Sequence, residues 1–155
     1  MKYNFKAETD TAKLPTRHTE YSAGVDFYSD TDVLIYPGKS EIISTGISWK
    51  PNTFVERFGE YENICLVIQS RSGIAFKNDI EASNAGVIDQ DYVSTKENKA
   101  IIKVKLYNNS IKCFQVQKGD KICQGIPQFI PEFTDVEILD DNRNGLGFGS
   151  SDGKG

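Results

Sequence analysis

The sequence predicts an all-β fold, a barrel or a jelly-roll-like sandwich, because short strand-like runs follow one another at close spacing. Ile64–Ile68 is a continuous apolar run, which is typical of a strand buried on both faces. Ala100–Tyr107 alternates apolar and polar residues over part of its length, as a half-buried strand does. No window keeps a helical period over three turns, and Arg71–Lys77 is the one stretch in which we expect a short helix.

The remaining strands are predicted at apolar runs that turn residues separate. Val33–Ile35 comes just before Pro37-Gly38, which is a turn signal, and further strand material follows that turn. After that turn, the predicted strands in chain order are Ile42–Trp49, Phe114–Val116 and a run that carries Ile122, Ile126, Phe129 and Ile130.

Composition and charge restrict the kind of partner. A chain of 155 residues suggests one compact domain, and no repeat or linker divides it. The net charge of −4, from 18 Lys+Arg against 22 Asp+Glu, argues against direct binding of nucleic acid through a general basic surface. An anionic ligand would need locally placed cations or a metal ion. No apolar stretch approaches the roughly 18 residues of a membrane span, and the N-terminus lacks the apolar region of a signal peptide.

Cysteine and histidine usage excludes several kinds of site. Cys65, Cys113 and Cys123 show no paired metal spacing, and each lies in an apolar run. We therefore expect reduced, partly buried thiols, as in a cytoplasmic protein, or one of the host-cell cytoplasm if the source is a phage or another virus. The one histidine, His18, lies in a polar segment, which argues against a Ser-His-Asp triad or a multi-histidine metal site.

The C-terminal residues differ from the rest of the chain. Asn144–Gly153 is rich in glycine and small polar residues, with Phe148 as a lone aromatic residue. One interpretation is a disordered tail. The other is a mobile arm in which glycine N–H groups and serine hydroxyls approach phosphates while the ring covers a base. We divide the chain into a core, residues 1–141, and a glycine-rich arm, residues 142–155.

Two segments in the first half carry groups suited to phosphate and metal chemistry. In Ser22–Phe27, Asp26 follows a glycine turn and is either an ordinary turn residue or a carboxylate that faces a metal-bound water. Gln69–Gly73 follows the buried strand and offers hydroxyls, a guanidinium and N–H groups at one point. It is either a phosphate-binding segment or a helix cap with a surface arginine.

Two later segments complete the candidates. Asn84–Tyr92 suits a hairpin whose backbone could read the edge of a base, with Asp89 beside an apolar wall as a general base for water and Tyr92 against a sugar. The alternative is a surface hairpin with solvated acids. Lys118–Gln124 contains Gly-Asp, a common hairpin turn.

Together and in this order, the segments resemble the five signature motifs of the trimeric dUTPase family, over nearly the whole chain from about Ala23 to Ser151. Departures from the family pattern include Lys121 in place of Arg, Cys123 in place of Ala, and a segment between Asn52 and Asn63 that is longer than usual. The five matching stretches are Ser22–Phe27, Ser70–Gly73, Gly86–Tyr92, Gly119–Gln124 and Arg143–Ser151, and further departures are Ser70, Val93-Ser94, Asn144 and Asp152.

The resemblance implies a distorted jelly-roll-like subunit in a homotrimer whose C-terminal arm is exchanged between subunits, with each active site built from all three chains. It implies hydrolysis of dUTP to dUMP and pyrophosphate, in which Asp89 deprotonates a water that attacks the α-phosphorus. Mg²⁺ is the implied cofactor, bound to the triphosphate, with Asp26 holding metal-bound water. The implied substrate-binding residues are Arg71, Ser72, Gly73, Asn84, Gly86, Ile88, Tyr92, Gln124, Arg143, Phe148, Gly149, Ser150 and Ser151.

Three alternatives remain open at this point. A dCTP deaminase of the same superfamily would need a glutamate where this chain has Asp89. A regulatory binding protein could use the same scaffold as a nucleotide-gated surface for a protein partner, for which the segment between Asn52 and Asn63 is the first place to look. A structural β-sandwich of the capsid type would have no use for Asp89 and Phe148.

Overall fold

The computed structural model describes residues 3–51, 63–83, 86–131 and 133–137, and within them it confirms the all-β prediction. The short helix expected at Arg71–Lys77 is present as α1 (Ser72–Asn78). The strands in chain order are β1 (Tyr3–Ala7), β2 (Val25–Tyr28), β3 (Val33–Ile35), β4 (Ser40–Pro51), β5 (Asn63–Gln69), β6 (Ile80–Ala82), β7 (Val87–Ile88), β8 (Ile101–Asn108), β9 (Phe114–Val116) and β10 (Lys121–Ile130).

Two antiparallel four-stranded sheets make up most of the fold. Sheet A has the order β1-β4-β8-β6, sheet B has the order β2-β10-β5-β7, and β3 pairs with β9 in a small third sheet. Among the described strands, each one therefore lies in a different sheet from the strand before it, as in a jelly-roll-like sandwich.

The hydrophobic core draws residues from both large sheets, because each sheet turns one face inward. Strand β8 alternates between exposed and buried positions, as predicted for a half-buried strand. The predicted run in β5 is buried on both faces at Ile64, Cys65 and Leu66. The largest fully buried side chains are Trp49 and Phe27, and they belong to different sheets.

The structure corrects two expectations. The segment around Asp89 was expected to be a hairpin, but β7 pairs with β5 of sheet B, whereas β6 pairs with β8 of sheet A. The chain thus crosses between the two sheets here. Cys113 is exposed, although it was expected to be partly buried, because only one side of the β9 region faces the core; all three cysteines are free thiols, as predicted. Within the described ranges, no helix has the length and apolar character needed to cross a membrane.

Candidate active site

A compact group of three charges lies at one end of sheet B. Asp26 Oδ1 accepts a hydrogen bond from Arg71 Nε at 2.8 Å, and Asp26 Oδ2 accepts one from Lys121 Nζ at 2.7 Å. The sheet order explains this contact, because β10, which begins with Lys121, lies between β2 and β5. Asp26 and Gln69 both pair with Gln124, and Arg71 follows Gln69 by two residues. We call Asp26, Arg71 and Lys121 the charge cluster.

The electrostatics of the charge cluster keep Asp26 ionised. Burial alone would raise the pKa of the Asp26 carboxyl, but hydrogen bonds and positive charge from Lys121 and Arg71 hold it below its ordinary value of 3.8. Two cations against one carboxylate leave the charge cluster itself with a net charge of +1, from +2 and −1. Asp120, which lines the adjoining cavity with Arg71 and Lys121, offsets that charge, so an anion is attracted only where it contacts the two cations directly.

Polar groups beside the charge cluster come from the turn between β5 and α1. Gln124 Nε2 donates to the backbone oxygen of Ser70 at 3.0 Å, and Ser70 Oγ accepts from the N–H of Ala82 at 2.7 Å. These contacts fix the turn that carries Arg71. Ser72 and Gly73 follow it and are exposed, so their hydroxyl and N–H groups face solvent. The structure thus brings one residue of the fourth motif, Gln124, next to the second motif, which contains Arg71, Ser72 and Gly73.

A cavity of about 290 Å³ opens beside the charge cluster. Its wall is apolar on the side of α1 and β9, and charged where Arg71, Lys121 and Asp120 reach it. The lining residues are Arg71, Ile74, Phe114, Val116, Asp120, Lys121 and Ile122.

The charge cluster offers one carboxylate, that of Asp26, to a hydrated Mg²⁺. Within the described ranges, no three His, Cys, Asp or Glu side chains are placed to hold a metal ion. Both Asp26 oxygens already accept a hydrogen bond, but a carboxylate has about four acceptor sites, so two remain for water. Mg²⁺ retains several waters and binds substrate phosphates in preference to a full protein cage. The residues present therefore fit a hydrated Mg²⁺ brought by a polyphosphate, with Asp26 touching its water.

The second group of predicted residues surrounds Asp89 on β7 and the turn after it. A Cβ atom at Gly86 would lie 2.8 Å from the Ile68 backbone oxygen, so only glycine allows β7 to approach β5 this closely. The N–H of Ile68 donates to the Gly86 oxygen at 2.6 Å. Ile88 is buried, and Asp89, which follows it, is half-buried.

Asp89 lies beside the buried thiol of Cys65. Burial raises the pKa of the Cys65 thiol, and the negative charge of Asp89 raises it further. The next residue, Gln90, accepts a hydrogen bond from the N–H of Ile64 at 3.1 Å, which ties the turn to the start of β5. Asp89 is thus a half-buried carboxylate next to a buried thiol, and its role as a general base stays a prediction.

Tyr92 is more buried than its predicted contact with a sugar suggests. The residue is 8% exposed, and its hydroxyl donates to the backbone oxygen of Ile101 at 3.3 Å. Burial raises the pKa of the Tyr92 hydroxyl, which keeps it protonated and able to donate. The contact between Tyr92 and the deoxyribose stays a prediction.

The charge cluster and Asp89 do not meet within one chain. Asp26 lies on β2 at one edge of sheet B, whereas Asp89 follows β7 at the other edge. Across the sheet, Asp26 is level with Gln69 of β5, because both pair with Gln124. Asp89 is level with Cys65 of β5, four residues away, because the preceding Ile88 pairs with Leu66. Three strand spacings of about 4.8 Å and four residue steps of about 3.3 Å separate the backbone positions of Asp26 and Asp89 by ~20 Å.

Several predicted positions lie outside the described residues: Asn84, Arg143, Phe148, Gly149, Ser150 and Ser151, as well as residues 52–62. Their predicted roles stay predictions. The sequence analysis missed the contacts of Arg71 and Lys121 with Asp26, and that of Gln90 with Ile64. The places of Asp26, Arg71 and Lys121 in three of the motifs were a signal for the first two contacts. Nothing in the sequence pointed to the contact of Gln90 with Ile64.

Comparison with known proteins decides the family. A family model described as dUTPase matches residues 10–152. The deoxyuridine 5'-triphosphate nucleotidohydrolase of Nautilia profundicola is 37% identical over 99% of this chain and 100% of that protein. The protein of the same description from Variola virus is 40% identical over 95% of this chain and 90% of that protein. The chain belongs to the dUTPase family.

Solved dUTPase structures share the fold. The dUTPase of Streptococcus mutans superimposes with a TM-score of 0.69 at 24% identity, covering 84% of this chain and 98% of that chain. A mutant form of the dUTPase from phage phi11 of S. aureus, described as coordinating a structural Mg(II) ion, has a TM-score of 0.69 at 19% identity, covering 91% of this chain and 100% of that chain. These likenesses support the jelly-roll-like assignment.

Proposed function

We propose that this dUTPase-family chain hydrolyses dUTP to dUMP and pyrophosphate in active sites that different chains of a homotrimer build together. The reaction follows from the family, because the relatives that share 37% and 40% of their residues with it over almost its full length are nucleotidohydrolases of dUTP. One observation about the fold supports the shared site: about 20 Å separates Asp89 from the charge cluster at the opposite edge of sheet B.

A nucleotide must contact both groups for hydrolysis to occur. If Asp89 activates the water and the charge cluster holds the phosphates, these groups must lie on either side of one phosphorus atom. Within a single chain they are too far apart. When the Asp89 edge of one subunit faces the charge cluster of another, both can reach the same substrate, and a closed trimer gives three equivalent sites.

The phosphate side of the site is preorganised by Asp26. Because Asp26 holds Arg71 and Lys121 in place, their charges are positioned before the triphosphate arrives. The Ser72 hydroxyl and the Gly73 N–H contact oxygens near the bond between the α- and β-phosphates, and Arg71 and Gln124 hold the chain of phosphates. A bound Mg²⁺ would spread the negative charge of the triphosphate, and Asp26 would accept hydrogen bonds from its water.

Asp89 takes the proton of the attacking water. The water oxygen forms a bond to the α-phosphorus, the bond from that phosphorus to the bridging oxygen breaks, and pyrophosphate leaves with the electron pair. The half-buried position of Asp89 beside Cys65 limits competing solvent around the carboxylate.

Selection of uracil depends on the backbone around Gly86 and Ile88. Backbone groups from Asn84 to Ile88 pair with the uracil edge, and cytosine, which presents a donor where uracil has an acceptor, leaves a backbone donor unpaired. The ring of Tyr92 packs against the deoxyribose and disfavours a 2′-hydroxyl. In the arm, Arg143, Gly149, Ser150 and Ser151 close on the γ-phosphate while Phe148 covers the base.

The deaminase alternative is not favoured, because the position that needs a glutamate carries Asp89 and the relatives at 37% and 40% identity are nucleotidohydrolases. A pyrophosphate-release assay tests the proposal. With Mg²⁺ present we expect release from dUTP, and at least a hundredfold less from UTP, dTTP and dCTP. Ammonia release from dCTP, or equal turnover of all four nucleotides, would contradict it.

A further inference from the structure

Glu8 is a buried carboxylate that lies outside the motifs of the active site. It follows β1, and its side chain is 3% exposed. Ser48 Oγ donates to its Oε1 at 2.8 Å, and Lys6 Nζ lies 3.0 Å from its Oε2. A buried carboxylate is costly unless charged and polar groups surround it. Glu8 therefore needs these partners, and two more come from a segment next to the proposed site.

The residues between Tyr92 and β8, Val93–Lys99, form what we call the return segment. Near its start, Ser94 Oγ donates to Glu8 Oε1 at 3.3 Å and accepts from the N–H of Ala100 at 3.1 Å. At its end, Lys99 Nζ donates to the Glu8 backbone oxygen at 2.9 Å and lies 4.0 Å from Oε2. Glu8 thus holds both ends of the return segment against the start of sheet A.

Tyr92 depends on both ends of the same segment. Its backbone immediately precedes the return segment, and its N–H donates to the Asp89 oxygen at 3.1 Å. Its hydroxyl donates to Ile101, just beyond the other end. If the return segment shifts, the two attachments of the Tyr92 ring move relative to each other.

We propose that Glu8 is a positioning residue for Tyr92: by fixing the return segment through Ser94 and Lys99, it holds the ring where it excludes a ribose 2′-hydroxyl. This inference rests on the role of Tyr92 in the proposed function. Glu8 touches neither the substrate nor the reacting atoms. Its effect on the enzyme is on the selection of deoxyribose over ribose, more than on the rate with dUTP.

The test is the ratio of kcat/KM for dUTP to kcat/KM for UTP. Glu8→Gln keeps the size of the side chain and an oxygen for Ser48 and Ser94, and Lys99 keeps its bond to the backbone oxygen of residue 8. It removes the charge and puts an amide nitrogen in place of Oε2, which faces Lys6 and Lys99. We expect the ratio to fall about threefold, because the charge-assisted contacts with the two ammonium groups are lost, while kcat/KM for dUTP falls much less. Lys6→Ala is the matched control, because the 70%-exposed Lys6 side chain binds the same carboxylate without touching the return segment.

A second variant keeps the test decisive if Glu8→Gln fails to fold. Ser94→Ala cuts one link of the return segment and should lower the ratio in the same direction, and in a folded double variant the two effects should be less than additive. A wild-type ratio in Ser94→Ala, or a lower melting temperature of Glu8→Gln with an unchanged ratio, would overturn the inference. Tyr92→Ala distinguishes a failure of this inference from a failure of the proposed function. If Tyr92→Ala lowers the ratio and the Glu8 and Ser94 variants do not, the proposed role of Tyr92 stands and that of Glu8 fails. If Tyr92→Ala leaves the ratio unchanged, the proposed role of Tyr92 fails as well.

Discussion

Asp26 and Asp89 lie at opposite edges of one four-stranded sheet, ~20 Å apart by strand and residue spacing. Asp26 binds two cations at one edge, and Asp89 lies beside the buried Cys65 thiol at the other. The roles that we propose for the two carboxylates differ accordingly: Asp26 arranges positive charge for phosphates, and Asp89 accepts a proton. Their separation also means that one chain cannot bring both to a single phosphorus atom.

Asp89→Asn should abolish turnover and leave nucleotide binding almost unchanged. The amide has nearly the same size but cannot accept the proton of the attacking water, so we expect a loss of at least a hundredfold in kcat. Pyrophosphate release measures the rate, and calorimetry with a non-hydrolysable dUTP analogue measures binding. The control is Asp91→Asn, an exposed carboxylate two residues away, which should retain activity. Near-normal turnover of Asp89→Asn would remove it as the base.

Lys121→Met should weaken substrate binding, because the charge cluster then keeps a single cation beside Asp26. We expect kcat/KM for dUTP to fall about tenfold, and Lys121→Arg, which keeps the charge, to retain most of the activity. Steady-state kinetics at two salt concentrations measure this, with the exposed Lys118→Met as a control for lost surface charge. Equal effects of Lys118→Met and Lys121→Met would show that the contact with Asp26 is unimportant.

Glu8→Gln should lower the melting temperature at pH 7, and the difference from wild type should shrink at acid pH. Burial would raise the pKa of Glu8, but hydrogen bonds from Ser48 and Lys6, helped by the charge of Lys6, hold it below its ordinary value of 4.5. A carboxylate with a lowered pKa stabilises the fold above that ordinary value and loses this effect as the pH falls through the folded pKa. We expect a loss of about 2 kcal/mol at neutral pH.

Thermal unfolding from pH 7 to about 3 checks this dependence, and the exposed Glu20→Gln is the control that should match wild type throughout. A difference between Glu8→Gln and wild type that stays constant across this range would show that the charge of Glu8 does not stabilise the fold.

Deleting the residues after Asp141 should reduce the rate by orders of magnitude without unfolding the protein, because the predicted arm supplies Arg143 and Phe148 but no part of the described core. Pyrophosphate release and the thermal unfolding midpoint measure the two effects. Removing residues 152–155 alone is the matched control and should leave the rate nearly unchanged. Normal turnover of the longer deletion would make the arm an inactive tail.

Local sequence patterns predicted most of the strands and the short helix, but few of the hydrogen bonds and ion pairs that the side chains form. The apolar run of β5 and the alternation of β8 follow from which faces are buried, and this information lies within a few neighbouring residues. The pairing of β7 with β5 was missed because a two-residue strand has too little pattern to choose a sheet.

The contacts of single side chains depend on sequence-distant neighbours. Lys121 and Asp26 form a hydrogen bond although they are 95 positions apart in the sequence, and Ser94 and Glu8 do so although they are 86 positions apart. For Lys121 the motif gave the position and the charge, and the fold supplied the partner. For Glu8 no motif gave a reason to single it out, since one glutamate near the N-terminus is ordinary in a chain with 22 acidic residues.

The sharing of active sites between chains is tested most directly by complementation. Asp89→Asn lacks the base and Arg71→Ala lacks a phosphate-binding group, so each variant alone should be inactive. When the two are co-expressed with different tags and purified as mixed trimers, some sites combine an intact Asp89 from one chain with an intact Arg71 from another. Each mixed trimer then has one intact site of three, so we expect roughly one third of the wild-type rate for the purified mixed trimers. Mixed trimers no more active than the separate variants, or a protein that sediments as a monomer at working concentration, would contradict the account.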